Sequence, residues 1–327
     1  MEIREYGAHD TELVAQVVAL GNAMDRADAP WNHPGTLETV THGLTRGWDG
    51  QPSRAFAVLE EGRVVASGNL GTSTYDNLDF ADFGVGVHPE HRRRGVGSAL
   101  LAHLQAEALR LGRPKTGIGG WNLPASAGFA DRHGYVPAIT NVMRRQDLRL
   151  ADWPLVEKLH ADAATRAGDY ELLRHRGATP AADLPAVAEM AGAINDAPLE
   201  DLDVEDEVFP PERVAAYEEC QLAIGRLFRV TARHRATGEL AGHTVVVVER
   251  SRPWIGGQHD TSVVRAHRGH RLGLLLKADM LLWLRDEEPR LETLDTWNAK
   301  SNAHMIGVND TLGYQVMGET TFYQRTL

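Results

Sequence analysis

Val85-Gly86-Val87-His88-Pro89-Glu90-His91-Arg92-Arg93-Arg94-Gly95-Val96-Gly97-Ser98 concentrates more chemistry-capable residues than any other stretch of the chain. An apolar run ends at Pro89, which cannot extend a strand ladder, and the residues after Gly97 read as the start of an apolar helix. Arg92, Arg93, Arg94, Gly95, Val96 and Gly97 therefore set backbone amides and guanidinium groups at a helix N-terminus, where unpaired N–H groups and the positive end of the dipole favour an anion. Gly95 and Gly97 leave room for a pyrophosphate to approach the backbone. Three consecutive arginines also suit a solvated surface turn, so the residue types alone leave both readings open. No Gly-x-Gly-x-x-Gly follows a first strand and no Gly-Lys-[Ser/Thr] occurs, which sets aside a Rossmann or P-loop phosphate site.

The turn has a counterpart later in the chain. His91-Arg92 recurs as His267-Arg268 and Trp121-Asn122 as Trp297-Asn298, both displaced by 176 residues, and Gly134-Tyr135 is echoed by Gly313-Tyr314. Unlinked pairs at one offset indicate a duplication. The second copy reads Val263-Val264-Arg265-Ala266-His267-Arg268-Gly269-His270-Arg271-Leu272-Gly273, with Arg265 in place of the proline and Arg271 in place of the first glycine. With helical φ, Arg271 would still present its amide and add charge to an anion site. Downstream the second copy holds Asn298, Asn302 and Asn309, whereas the first keeps Asn122 with Ser126 opposite Asn302. Capping and turn duty is the alternative reading for these asparagines.

The elements needed to position these residues repeat in the same order. Each copy is expected to run strand, Ala/Val/Leu helix, loop, two strands joined by a Gly turn (61–62 and 237–238) and a further strand. The Arg/Gly turn, an apolar helix (98–111 and 272–284), a strand bearing Trp-Asn, a helix, a Gly-Tyr turn and a last strand complete it. Residues 147–168 have helical spacing and mixed charge. The expected organisation is a first domain over 1–147, a helical linker over 148–168 and a second domain over 169–327. The fold class is α+β (α/β), as two tandem domains, each a mixed, mostly antiparallel sheet flanked by helices.

Composition narrows the partners. The chain has 327 residues, 34 Lys plus Arg against 45 Asp plus Glu, and a net charge of −11. Such a chain is repelled by polyanions unless its basic residues cluster, so neither nucleic acid nor a membrane surface is an expected partner. No apolar stretch approaches the ~20 residues of a membrane span. The single cysteine, Cys220, can close no disulfide within the chain and build no thiolate metal site, so no metal is expected and Cys220 reads as packing. The charged opening MEIREYGAHD lacks a secretory apolar core, and a cytoplasmic location is the expectation. Monomer and homodimer both remain open.

The segment from Val87 to Gly97 satisfies every position of Val-x-Pro-x-x-[Gln/Arg]-x-x-Gly-x-[Gly/Ala], and in this the chain resembles the GNAT acetyltransferase superfamily. With both copies counted, it resembles tandem GNAT proteins of the mycothiol synthase type. The resemblance implies acetyl-CoA as co-substrate, its pyrophosphate on the amides of Arg93 to Gly97, its pantetheine arm along the backbone of Val85 and Val87, and Asn122 nearby. The same roles would fall in the second copy on Val263, Arg268, Gly269, His270, Arg271, Leu272, Gly273, Asn298 and Asn302. It further implies direct transfer of an acetyl group to a primary amine of a small molecule. The tyrosine that protonates the leaving thiolate in many relatives is replaced by Ala130 and Asn309. Either another group or water does so, or one domain is inactive, and a coenzyme- or amine-binding module with little turnover is the alternative function.

For the base, the family position eleven residues before the signature arginine falls on Ala81 and Gly257. Strand alternation adds Asp79 and His259 on the same faces, and an imidazole with a pKa near ~6.5 suits base catalysis at neutral pH. The segment 196–207 holds Asp196, Glu200, Asp201, Asp203, Glu205, Asp206 and Glu207 and no basic residue. In the GNAT fold the segment after the first helix roofs the acceptor site, so Glu205, Asp206 and Glu207 are expected to recruit a cationic amine at the second domain, a solvated acidic loop being the alternative. The first-copy loop offers Trp31 instead.

Overall fold

The computed structural model describes all residues, 1–327. Two compact units result. Unit 1 comprises Met1–Asn141 with Leu199–Glu205 and Gly318–Leu327, and unit 2 comprises Val142–Pro198 and Asp206–Met317.

Unit 1 contains β1 (Glu2–Tyr6), α1 (Thr11–Asp28), α2 (Leu37–Thr45), β2 (Arg54–Glu60), β3 (Arg63–Gly71), β4 (Phe80–Val87), α3 (Val96–Arg110), β5 (Lys115–Trp121) and α4 (Pro124–Arg132). The β2–β3 hairpin turns at Glu61 and Gly62, both at positive φ (50° and 77°), the conformation that matches the twist of the two strands. Leu100, Leu101, Leu104 and Ala108 recur at helical spacing along α3, and burying that stripe against Phe56, Val65 and Phe83 makes the main core of the unit.

After β6 (Val136–Asp147), unit 2 contains α5 (Trp153–Arg166), β7 (Tyr170–Arg176), α6 (Leu184–Ala191), α7 (Pro211–Ile224), β8 (Gly225–His234), β9 (Leu240–Glu249), β10 (Ile255–Val263), α8 (Leu272–Glu287), β11 (Thr293–Ala299) and α9 (Ala303–Thr311), before β12 (Gln315–Thr326). Its core gathers Phe228, Val246, Leu276, Met280 and Leu284. The segment expected as a linker is part of that core, because Val156 and Ala163 of α5 are buried with α8.

Each unit is a mixed, mostly antiparallel sheet with helices on its faces, as the residue pattern implied. In unit 1 the strand order is β1-β2-β3-β4-β5-β12, and in unit 2 it is β7-β8-β9-β10-β11-β6. The last strand of each copy thus completes the sheet of the other unit: β12 pairs antiparallel with β5 from Thr320↔Trp121 to Thr326↔Lys115. In unit 2, Arg145 of β6 makes a two-point contact with Asp295 of β11 at 2.6 and 2.7 Å. Continuous domains over 1–147 and 169–327 do not describe these units. A strand's pattern specifies which face is buried but not which copy supplies its neighbour. No helix is long and apolar enough to cross a membrane.

Candidate active site

Each sheet splits at the strand that precedes the Arg/Gly turn. In unit 1, β4 and β5 pair in parallel only from Phe80↔Lys115 to Phe83↔Ile118. Beyond that, β4 stays with β3 as far as Val87↔Ala66, and β5 stays with β12 as far as Trp121↔Thr320, so the facing edges of residues 84–87 and 119–121 open as a wedge. The His88 amide donates to the Val65 carbonyl at 2.9 Å, which turns the amides of residues 84, 86 and 88 toward β3 and those of Val85 and Val87 into the wedge. Unit 2 repeats the device: β10 and β11 pair only from Ile255↔Thr293 to Gly257↔Asp295, while β10 follows β9 to Val263↔Gly242.

The turns after the two wedges share one backbone form. Arg93 and Gly95 have φ of 64° and 83°, and Gly269 and Arg271 have φ of 89° and 59°. Alternation of left-handed residues with ordinary ones curls successive amides into an anion-binding nest. The Ala99 amide is the first to bond within α3, to the Gly95 carbonyl at 3.0 Å, so those of Val96, Gly97 and Ser98 lie at the open helix end. Arg271 is left-handed, not helical as the sequence suggested; the second copy has moved its glycine two residues upstream and placed an arginine in the strained position.

The signature arginines turn away from the nest. Arg92 donates from Nε to the Val87 carbonyl at 3.1 Å and grips both carboxylate oxygens of Asp28 at the end of α1. Arg268 donates to the Val263 carbonyl at 3.0 Å and to Asp196 at 2.7 Å. Both side chains lock strand end to helix end, whereas Arg93 and Arg94 are exposed.

On the α1 face of unit 1, glycines let side chains from other elements pack close against the sheet. Asp82 lies in register with Gly71 of β3 and Gly117 of β5, so neither neighbouring strand places a side chain beside its carboxylate. The carboxylate is reached by solvent yet enclosed by surrounding protein, and that enclosure raises its pKa to about 6 against the pull of the Phe83 amide. A side chain at Gly84 would strike Asn69, one at Gly86 would strike Met24, and one at Gly117 would strike Phe322. Asp82, the lone carboxylate within β4, was missed because the count back from Arg92 fell on Ala81, which points into the core. Alternation from Ala81 then led to Asp79, on the wrong parity. Asp79 lies 3.5 Å from Lys115, in an ion pair at the closed end of β4 and β5.

Trp31, Trp121, Asp28, Asn122, Leu123, Gly318 and Glu319 line a cavity of about 220 Å³ in the same unit. The two indole rings meet edge to face at 5.5 Å and 84°. A Cβ at Gly318 would lie 2.7 Å from Trp31 and 3.0 Å from Trp121, so only glycine allows this packing. Asn122 donates from its backbone to the Glu319 carbonyl at 2.8 Å, and its side-chain amide lies 3.4 Å from the Glu319 carboxylate.

The remaining candidates are scattered. His259 bonds the Tyr217 hydroxyl at 2.6 Å, and burial lowers its pKa to about 4, so the ordinary imidazole value does not hold there. Asn302 caps α9 by accepting from the Met305 amide, and Asn298 accepts from the buried Asn309. Glu205 and Asn77 bond each other in unit 1, Asp203 pairs with Lys115 at 3.0 Å, and Glu200 accepts from the Thr140 amide. In unit 2, Glu207 pairs with Arg213 at 3.1 Å and Asp206 is exposed. Most of the acidic segment is therefore occupied with local partners.

Known proteins match along the chain. An acetyltransferase (GNAT) domain family matches residues 51–137. A mycothiol acetyltransferase of Geodermatophilus obscurus is 34% identical over 152 residues, 46% of this chain and 46% of that protein, so the match spans less than half of that relative's length. An acetyltransferase of Sodalis glossinidius is 30% identical over 118 residues, 36% of this chain and 74% of that protein. Among solved structures, a tandem GNAT protein from the clavulanic acid biosynthesis pathway superposes with a TM-score of 0.79 and 26% identity, covering 99% of this chain and 98% of its own. The chain belongs to the GNAT acetyltransferase family, in tandem form.

Proposed function

We propose that unit 1 transfers an acetyl group from acetyl-CoA to the primary amine of a small, cationic molecule. The residues present suit the coenzyme: the amides of Arg93 to Gly97 form an anion nest, Arg93 and Arg94 add exposed charge, and the amides of Val85 and Val87 offer an edge that an extended amide-bearing arm pairs with, the Val87 carbonyl being held by Arg92. Acetyl-CoA supplies the activated acyl group. The cavity walled by Trp31 and Trp121 takes the amine, since indole faces attract an ammonium and the Glu319 carboxylate belongs to the cavity lining, while the Asp28 carboxylate is held by Arg92. Recruitment thereby falls to this cavity rather than to Glu205, Asp206 and Glu207.

An ammonium must lose a proton before its nitrogen can attack. Asp82, with a pKa of about 6, is ionised at neutral pH and still basic enough to accept that proton, and because it does not line the cavity it does so through water. Its placement between Gly71 and Gly117, beside the wedge, is the observation that carries the reading. Asp82→Asn is expected to lower amine acetylation by ~10²–10³-fold with coenzyme affinity unchanged. Wild-type turnover in that variant would refute the assignment.

A further inference from the structure

On the face of unit 2 covered by α6 and α7, β9 and β10 bring together three side chains that amine acetylation in unit 1 does not use. His243 and Ser262 stand directly opposite in register, and Asp260 precedes Ser262 by two residues at the irregularity between Gln258 and Thr261. The Asp260 carboxylate lies 2.9 Å from His243 Nε2. His243 is 2% exposed and Ser262 7%. Each of the three retains one buried polar atom with no partner: His243 Nδ1, Asp260 Oδ1 and Ser262 Oγ.

These observations fit together chemically. A carboxylate on Nε2 holds the imidazole proton there and leaves a lone pair on Nδ1. Opposed residues of an antiparallel pair hold their Cβ atoms ~4.5–5.5 Å apart, which sets the Ser262 hydroxyl and the His243 imidazole side by side on one face of the sheet. In unit 1 the matching places carry Ser67, Gly84 and Gly86, with neither imidazole nor carboxylate. Ser262 also sits between Thr261 and Val263, whose backbone groups face the wedge because the Val264 amide is turned to the Ala241 carbonyl at 2.9 Å. The edge that would carry an acyl thioester thus adjoins the backbone of Ser262.

We propose that Ser262 is an acyl-accepting nucleophile, with His243 as its base and Asp260 orienting the imidazole, and that unit 2 hydrolyses acyl thioesters. Ser262 Oγ attacks the thioester carbonyl; the new C–O bond forms, the C–S bond breaks, and the hydroxyl proton passes through His243 to the departing thiolate. Water, giving a proton to His243, then cleaves the acyl-serine ester, releasing a carboxylate product and restoring the hydroxyl. No oxidant, reductant or amine takes part.

The test uses the full-length protein with acetyl-CoA and no amine. Acid quenching followed by peptide mass analysis is expected to find one acetyl group on Ser262, together with slow amine-independent thiol release. Ser262→Ala should abolish both and leave amine acetylation at the wild-type rate. His243→Asn, checked for folding by circular dichroism, should slow thiol release by ~10²-fold. Absence of the Ser262 adduct from the wild type, or unchanged thiol release in Ser262→Ala, overturns the proposal. Amine acetylation is read separately through Asp82→Asn, so failure of one assignment is distinguishable from failure of the other.

Discussion

Units 1 and 2 share a backbone and differ in what they mount on it. Both split the sheet after a short parallel pairing, both tie the signature arginine to a strand carbonyl and a helix-end carboxylate, and both place left-handed residues at the same two turn positions. On the face covered by α1 in unit 1 and by α6 and α7 in unit 2 they part: unit 1 keeps Gly84 and Gly86 where unit 2 has Asp260 and Ser262, and Ser67 where unit 2 has His243. Duplication has preserved the split sheet and the turn that follows it, while the side chains on that face of the sheet diverged.

Several substitutions would break or sharpen that contrast. Gly318→Val should have the largest effect, because its side chain must enter space held by Trp31 and Trp121. A rise of ~10–100-fold in KM for the amine, with coenzyme affinity unchanged, is expected from steady-state kinetics. Next come the arginine clamps. Arg92 and Asp28 are 30% and 19% exposed, against 44% and 24% for Arg268 and Asp196. Urea unfolding should therefore show Arg92→Ala costing about 1–2 kcal/mol and Arg268→Ala less, after allowance for solvent screening. Equal losses would mean that the clamps do not differ in strength. The smallest change is expected at the turns: Arg271→Gly relieves a left-handed non-glycine residue and should stabilise by up to about 1 kcal/mol, whereas Gly95→Ala should destabilise by a similar amount. Thermal melts of the two variants moving in the same direction would contradict the shared turn geometry.

Much of this architecture was legible in the residue order. The Val87 to Gly97 signature, the offset linking it to Arg268 and the Gly-turn hairpins describe local backbone, and local backbone is what spacing and residue type specify. Non-local facts were not legible. The exchange of β6 and β12 depends on which edges meet, and the meeting of Trp31 with Trp121 depends on a glycine at position 318. Asp82 escaped because one residue of register separates a core-facing position from one on the α1 face. His243, Asp260 and Ser262 become a group only once β9 and β10 are aligned. The acidic run at 196–207 misled in the opposite way: its composition suggested a free anionic patch, but the fold pairs most of those carboxylates with nearby donors.

The most direct test of Asp82 as the base is the pH dependence of kcat/KM for amine acetylation, measured in the wild type and in Asp82→Asn. A base acts in its deprotonated form, so the wild-type rate should climb through pH about 6 and then level before titration of the amine itself intervenes. The limb near pH 6 should vanish in Asp82→Asn. A limb that persists unchanged in the variant would show that another group takes the proton.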